Sequence, residues 1–423
     1  MKTLREEAFY LEDVETNRGM IAHQLEETMT VMDDPSCGIR ENRLNELLMH
    51  AVTFSDFYKP YADYKSLYDF PVVNKTILKE HMEENTVSYL ADRKDSVKRK
   101  TSGSTGTPFG VPWDHRKWSK AAADLKYFSY MAGAGFSGRI VQMVVLHNKL
   151  PLAQQIKTNV YYVYADYLDD ENCLRMYKEI EELNPILLIG TAYILDALAD
   201  YLVRHPELKT SIHLNGIVPT AQAVDEKTKK TLREFYQAPV YCRYRCEEVG
   251  AIAIEDGTGN GYRLNEASLF VEILKMDSDE PAEEGEIGRV VITDFFSHAF
   301  PMIRYDIGDL ASYKTVDGKM YLNELVGKAN DLLYATDGTP TSPTMYRFFM
   351  YNYFTVKQYQ IIQNTLKDFV MILNTTDHSL EADITEKMKE IFGDDMNLTF
   401  EYVDEIPKLR SGKTRISVCN IQF

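Results

Sequence analysis

Cysteine is scarce and shows no pairing pattern. The five residues, Cys37, Cys173, Cys242, Cys246 and Cys419, are scattered, odd in number and nowhere form a CxxC pair. This argues against a disulfide framework or a zinc finger and fits reduced thiols in a cytoplasmic protein. Long apolar runs are also missing. The N-terminus, "MKTLREEAFYLEDVETNRGM", is acidic and has no apolar h-region, so a signal peptide is not expected. The most apolar long run, "ILLIGTAYILDALADYL", carries Asp196 and Asp200 and is too short and too charged to span a bilayer, so no membrane association is expected. Positive charge is in deficit: 47 Lys and Arg against 64 Asp and Glu give a formal charge of -17, which repels polyanions and argues against a nucleic-acid partner. Internal repeats, low-complexity tracts and the Walker pattern GxxxxGK[ST] are absent as well.

What is present is an ordinary globular composition, 44% hydrophobic and 26% charged, in a chain of 423 residues that exceeds one core. Residues 1 to 95 read as a helical lead-in, with apolar residues at helical spacing in "ENRLNELLMHAVTFSDFY" and Asn74 as an N-cap before "KTILKEHMEEN". Between about 115 and 250, β-rich runs ("RIVQMVVLH", "ILLIG", "LNGIVPT", "APVYCRY") alternate with helical ones ("DENCLRMYKEIEELN", "DEKTKKTLREFYQ"), the pattern of a helix-covered parallel sheet. From about 262 to 325 short strands and turns predict an antiparallel or barrel-like β section. The last ninety or so residues read as helix, strand, strand, helix, strand. The expectation is an α/β fold: a large N-terminal domain over 1–328 with helix-covered sheets and a β section, then a small α+β domain over 329–423.

One stretch invites chemistry. In "KRKTSGSTGTPFGVPWD", three cations precede Thr101, Ser102, Gly103, Ser104, Thr105, Gly106 and Thr107. The glycines allow successive amides to converge on an anion and the hydroxyls add donors, yet a flexible linker has the same composition. Other candidates are weaker. His147 in "VVLHNKL" follows an expected strand and could line a substrate pocket, as could Gly190 and Thr191 at the end of "ILLIGT", although a structural histidine is the commoner case.

Three later segments decide between linker and loop. "TSGSTGTP", "YRCEEVG" (244–250), "FPMIRYDIGDL" (300–310) and "PKLRSGKTR" (407–415) stand in the order and rough spacing of the adenylate-forming superfamily, which includes acyl-CoA ligases and peptide-synthetase adenylation domains. Within it the chain resembles the phenylacetate-CoA ligase branch and related capsule-biosynthesis adenylating proteins, from about residue 43 to the end.

The resemblance implies ATP and Mg²⁺ as cofactors and gives several residues a role. Thr101 to Thr107 would hold the ATP phosphates, Glu248 the Mg²⁺, and Tyr244 would stack near the adenine, with Gln222 in the segment beside it. Asp309 would accept hydrogen bonds from both ribose hydroxyls, preceded by Arg304, for which a structural ion pair is an equal reading. Lys413 would bridge the carboxylate and the α-phosphate as charge builds on phosphorus. The hinge and acceptor loop would fall in "LVGKANDLLYATDGTPTSP": Gly338 and Pro343 match, whereas Lys328 and Asn330 replace the usual Arg and first Asp, leaving Asp331 as the second acid. Further departures are Arg245 in place of Gly, Glu247 in place of a hydroxyl residue, and Phe109 after Pro108 where many relatives have Lys. The cysteines and histidines of a structural zinc site, present in some relatives, are missing, so no zinc is expected.

The function implied is ATP-dependent activation of a small carboxylic acid as an acyl-adenylate, then transfer to a thiol on coenzyme A or a carrier protein after the C-terminal domain rotates. An amine acceptor is a second reading. A nucleotide-binding protein that has lost catalysis is a third, motivated by Arg245, Glu247, Lys328 and Asn330. The relatives also suggest a homodimer.

Overall fold

A computed structural model describes residues 4–100, 109–145, 149–165, 167–220, 224, 226–328, 332–341, 346, 350, 353, 355–407 and 416–421. The chain divides into two compact units. The first comprises Met1–Val271, Ile292–Tyr305 and Thr315–Leu322; the second comprises Glu272–Val291, Asp306–Lys314 and Asn323–Phe423.

The first unit opens with helices α1 (Leu4–Asn17), α2 (Met20–Asp33) and α3 (Ile39–Phe54), as the helical periodicity of the lead-in requires. A short strand, β1 (Val73–Asn74), leads into α4 (Lys75–Glu80), followed by α5 (Met82–Asn85) and α6 (Ser88–Ala91). Asn74 caps α4 as expected: its side chain accepts a hydrogen bond from Ile77 N at 3.0 Å. Next come a hairpin of β2 (Val97–Lys100) and β3 (Gly110–Trp113), and α7 (His115–Ser129).

The α/β layer follows. Strands β4 (Ile140–Val144), β5 (Val160–Tyr164), β6 (Leu187–Thr191) and β7 (Gly216–Thr220) form a parallel sheet in the order β5-β4-β6-β7. Their connections carry α8 (Leu152–Thr158), α9 (Asp170–Leu183) and α10 (Ala192–Arg204), and α11 (Glu226–Tyr236) follows β7. Its core joins β4, β5 and β6 to the apolar faces of α9 and α10, with Val141, Met143, Met176, Ile180, Leu195 and Leu198 buried. The run from Ile186 is thus a buried strand entering a helix. The sheet then changes type. Antiparallel pairing links β8 (Arg243–Cys246) to β9 (Gly250–Glu255) and β9 to β10 (Tyr262–Leu264). Strands β11 (Leu269–Leu274), β12 (Gly288–Asp294), β13 (Tyr305–Val316) and β14 (Lys319–Lys328) complete this section, and β10 pairs β14 at Tyr262–Leu322 and Arg263–Tyr321.

In the second unit, β15 (Leu333–Tyr334) and β16 (Pro340–Thr341) form a small hairpin. Strands β17 (Gln358–Gln363), β18 (Asp368–Asn374), β19 (Asn397–Tyr402) and β20 (Ser417–Cys419) form a sheet in the order β19-β18-β17-β20, covered by α12 (Glu381–Phe392). β20 goes beyond the expected pattern. It is three residues long and is defined by its parallel pairing with β17, not by any local period. Among the described residues no helix is long and apolar enough to cross a membrane.

Candidate active site

The hairpin β2–β3 brackets the Ser/Thr/Gly loop. Its register runs from Val97 opposite Trp113 to Lys100 opposite Gly110, so the chain leaves and re-enters the same ladder on either side of residues 101–108. Thr101 to Thr107 themselves lie outside the described residues. Phe109, the departure from the usual lysine, is buried with its ring 6.0 Å from that of Phe300. Gly110 is required by close approach: a Cβ there would meet Lys98 Cε at 2.6 Å.

Both strands of the hairpin, and the helix after it, grip the turn that joins β8 to β9. Arg99 of β2 donates to the Glu247 carboxylate at 2.7 Å, and Trp113 of β3 donates its indole N–H to the Glu248 carbonyl at 3.0 Å. Lys117 of α7 donates to the Val249 carbonyl at 2.7 Å and pairs with buried Asp294 at 2.6 Å. The guanidinium of Arg99 lies over the Trp113 ring at 5.2 Å. Gly250, at φ 96°, lets the chain enter β9 directly after this turn.

The two unusual residues of the turn are partners. Arg245 meets the Glu247 carboxylate at 3.1 Å, so Glu247 is shared between Arg245 and Arg99. By contrast, the Glu248 side chain makes no ion pair or hydrogen bond to the described residues. Of the two adjacent acids, Glu247 is neutralised by arginines and Glu248 has no partner among the described residues. Two residues upstream, Arg243 is half-buried, its Nε has no acceptor, and burial together with the charge of Arg245 pulls its guanidinium down to about 10.

Tyr244 lies between these arginines, opposite Ala253, with a register irregularity between Tyr244 and Arg245. Gly190 and Thr191 end β6, opposite Pro219 and Thr220, and the Thr220 hydroxyl donates to the Gly190 carbonyl at 3.2 Å. Ala192, Val224, Cys242 and Tyr262 pack in one cluster, which brings the carboxyl ends of the parallel strands up to β8. The Cys242 thiol is unreactive there, since burial pushes it up to about 12 with Glu255 adding to the rise.

A buried polar network underlies the site. Lys120 of α7 donates to Asp124 and to Thr28, each at 2.6 Å, and Asp124 accepts from Asn265 at 2.9 Å and Ser268 at 2.6 Å. Next to it, Arg116 donates to Glu46 at 2.5 Å, and this hydrogen bond holds the Glu46 carboxyl down to about 2. His298 is buried beside this pair with no hydrogen bond to either ring nitrogen, and burial lowers it to about 4, with Arg116 and His50 adding repulsion.

Arg304 sits at φ 48° and turns to the lead-in. Its Nη1 donates to the Phe70 carbonyl at 3.2 Å, its guanidinium lies 5.5 Å from the Tyr68 ring centre, and its N–H donates to Thr293 Oγ1 at 2.9 Å. In the second unit, Asp309 is buried within β13 just after Gly308, at φ 74°. Gly338, at φ 88°, turns the β15–β16 hairpin, with its N–H donating to the Ala335 carbonyl at 2.9 Å. His147, Gln222, Asn330, Asp331 and Lys413 lie outside the described residues, as does the side chain of Lys328.

This geometry has counterparts among known proteins. The CapK C-terminal domain family matches residues 333–420. Protein CapK of Staphylococcus aureus is 24% identical over 368 residues, which span 82% of this chain and 79% of that protein. Phenylacetate-coenzyme A ligase of Thermus thermophilus is 22% identical over 441 residues, spanning 89% of this chain and 95% of that protein. Among solved structures, 2-hydroxyisobutyryl-CoA ligase in the postadenylation state, in complex with R3-HIB-AMP, aligns with a TM-score of 0.68 at 16% identity. That alignment covers 90% of this chain and 88% of the other. The chain is thus similar over most of its length to CapK and to a phenylacetate-coenzyme A ligase, and it shares the fold of a CoA ligase.

The donor set at the turn is a fair test of the expected magnesium. Among the described residues no group of three or more His, Cys, Asp or Glu could cage a metal ion. Mg²⁺ bound to a nucleotide needs no such cage, because one or two carboxylates suffice when phosphate oxygens and water fill the other positions. A single carboxylate with no partner among the described residues, Glu248, on the turn held by the β2–β3 hairpin, fits that requirement. Motif reading found Glu248 and Tyr244 but missed Arg99, Trp113, Lys117 and Asp294. Nothing local marks these four; their role comes from partners such as Glu247, 148 positions from Arg99.

Proposed function

We propose that this protein activates a carboxylic acid with ATP, forming an acyl-adenylate and pyrophosphate, and then passes the acyl group to a thiol of coenzyme A or of a carrier protein. The observation that carries the reading is the fixing of both strands around the Ser/Thr/Gly loop to the turn bearing Glu248, through Arg99–Glu247 and Trp113–Glu248. The strands on either side of the expected phosphate loop and the turn bearing the expected metal carboxylate are joined by these bonds, and positioning supplies much of phosphoryl-transfer catalysis.

In the first step a carboxylate oxygen attacks the α-phosphorus, an O–P bond forms, and the bond to pyrophosphate breaks with its electron pair leaving on oxygen. Thr101 to Thr107 hold the phosphates, Glu248 holds Mg²⁺, and Lys413 sits against the charge that develops. When bound, Mg²⁺ supplies charge neutralisation at the phosphate oxygens. Tyr244 and Gln222 flank the adenine, Asp309 takes the ribose, and Gly190, Thr191 and His147 border the acyl group. In the second step a thiolate attacks the acyl carbon and AMP departs. The arginine pairing of Glu247 supports this reading over a degenerate nucleotide binder, because the departures at 245 and 247 offset one another and leave Glu248 unengaged. An amine acceptor is the second reading, since 75% of the chain also aligns, at a TM-score of 0.55, with an amide bond synthetase.

The test is pyrophosphate release measured over aromatic, fatty, dicarboxylic and amino acids, with products identified in the presence of coenzyme A, carrier protein and amines. At least one acid should release pyrophosphate in wild type, and Glu248→Gln should slow that release by about 10²-fold, the scale of one lost electrostatic contact in a transition state. ATP binding without release from any acid would sink the assignment.

A further inference from the structure

Among the described residues of the first unit, Arg243 is a half-buried cation with no acidic partner. It stands opposite Ile254 in the β8–β9 ladder, and Arg245 stands opposite Ala251. Arg243 and Arg245, two residues apart on β8, share one face of the strand, opposite the buried Ile254 and Ala251. The balance of charge there is uneven. Arg99, Arg243 and Arg245 bring three guanidinium groups, and among the described residues the carboxylate paired with them is Glu247, shared by Arg99 and Arg245. Among the described residues Arg243 has no ion pair and no hydrogen bond, and its Nε is buried without an acceptor. A guanidinium offers five N–H donors in a fixed fork and stays charged at neutral pH, so leaving one buried and unpaired is costly unless a ligand completes it. The effect of Arg245 on the Arg243 guanidinium is repulsive, which strengthens the demand for an anion.

We propose, on the reading that the protein adenylates an acid, that Arg243 with Arg245 receives a second oxyanion carried by that acid, so that the substrate is a dianion. The group is a carboxylate or a phosphoryl group, either of which accepts two parallel N–H bonds from the fork. One anionic end of the substrate would meet the nucleotide and the other would meet Arg243. The role of Arg243 is selection among acids and not chemistry at phosphorus.

The experiment compares acids matched in carbon number: succinate with butyrate, glutarate with valerate, adipate with hexanoate and isophthalate with benzoate, while 3-phosphonopropionate against succinate separates phosphoryl from carboxylate. Pyrophosphate release should favour one dianion over its matched monoacid by about 100-fold or more in kcat/KM, since a site built to pair a charge rejects the analogue lacking it. Arg243→Met should remove that preference, leaving the KM for ATP and activity with monoacids within about threefold; Arg243→Lys should restore part of it. Equal use of monoacids and dianions by wild type overturns the site. So does an Arg243→Met protein that loses ATP affinity and all acids alike. If no acid releases pyrophosphate, the adenylation reading fails separately, and calorimetric titration of the same acids into wild type and Arg243→Met still decides. Dianion binding lost in the variant upholds the site, whereas no dianion preference in wild type removes it. Removing an unpaired cation should not lower the melting temperature, which guards against a misfolded variant.

Discussion

His298 shows how a single buried residue couples this fold to pH. Its ring lies 4.7 Å from His50, whose Nε2 contacts the His298 carbonyl at 2.9 Å, and Glu46 and Arg116 form the charged wall beside it. An unfolded histidine titrates near 6.5, and in the fold His298 is lowered to about 4, mainly because burial disfavours its cation. Between those values the unfolded chain binds a proton that the folded chain refuses. Stability is therefore complete above about pH 6.5 and is lost as pH falls toward 4, by roughly 3 kcal/mol in total. Glu46, held to about 2 by Arg116, extends the loss at lower pH, because its carboxylate contributes above its unfolded value and is lost on protonation. Denaturant unfolding of wild type should thus show a positive slope of stability with pH between 4.5 and 6, and His298→Leu should flatten it by about one proton. An unchanged slope in the variant would show that His298 does not titrate in this window. The deviations at Arg245 and Glu247 belong to the same scale: both were visible in the sequence as oddities, yet only their 3.1 Å contact explains them as a pair.

At the scale of elements, α7 ties the β2–β3 hairpin to the β8–β9 turn. It begins two residues after β3 ends, capped by Asp114, whose carboxylate accepts the Lys117 N–H at 2.8 Å. One turn in, Lys117 holds the Val249 carbonyl and Asp294. Asp114→Ala should cost about 1 kcal/mol through the lost cap, seen as faster hydrogen exchange at the amides of the first turn of α7, and pyrophosphate release should fall with it. Asp114→Asn, which keeps the acceptor, should exchange like wild type. Equal protection in all three proteins would mean the cap adds nothing. Elements of this kind were legible where their signal is local: the Asn74 cap, the strand-to-helix run from Ile186, and the 3.6-residue periods of α3 and α9. They were less so where partners decide. "APVYCRY" was expected as one strand, whereas β8 begins only at Arg243 and carries two arginines on its half-buried face, because its ladder partner β9 and the loop hairpin supply the pairing. β20 is found through β17 for the same reason.

At the scale of the whole molecule, a chain with a net charge of -17 is proposed to gather a nucleotide polyphosphate, so its attraction must be local. On that proposal the cations before the loop, Lys98 to Lys100, and Lys413 near the end of the sequence would supply it. The proposed reaction also has two halves that use different residues of the C-terminal segment: Lys413 serves attack on the α-phosphorus, and the Gly338 turn serves the acceptor after rotation. That division makes a crossed prediction. Lys413→Ala should slow pyrophosphate release by about 10²-fold or more, since it removes a charge that matters most in the transition state, and should leave ATP affinity within about threefold. The same variant, given preformed acyl-adenylate, should still transfer the acyl group. Gly338→Ala should do the reverse. Its φ of 88° is left-handed and disfavours a Cβ by about 1 kcal/mol, but no heavy atom lies within 4 Å of that Cβ, so the hairpin should fold and mainly the transfer step should slow. Measured side by side, the two variants should fail in opposite half-reactions. If each depresses both halves equally, the segment does not divide its work in this way, and normal adenylation by Lys413→Ala would remove that lysine from the first step altogether.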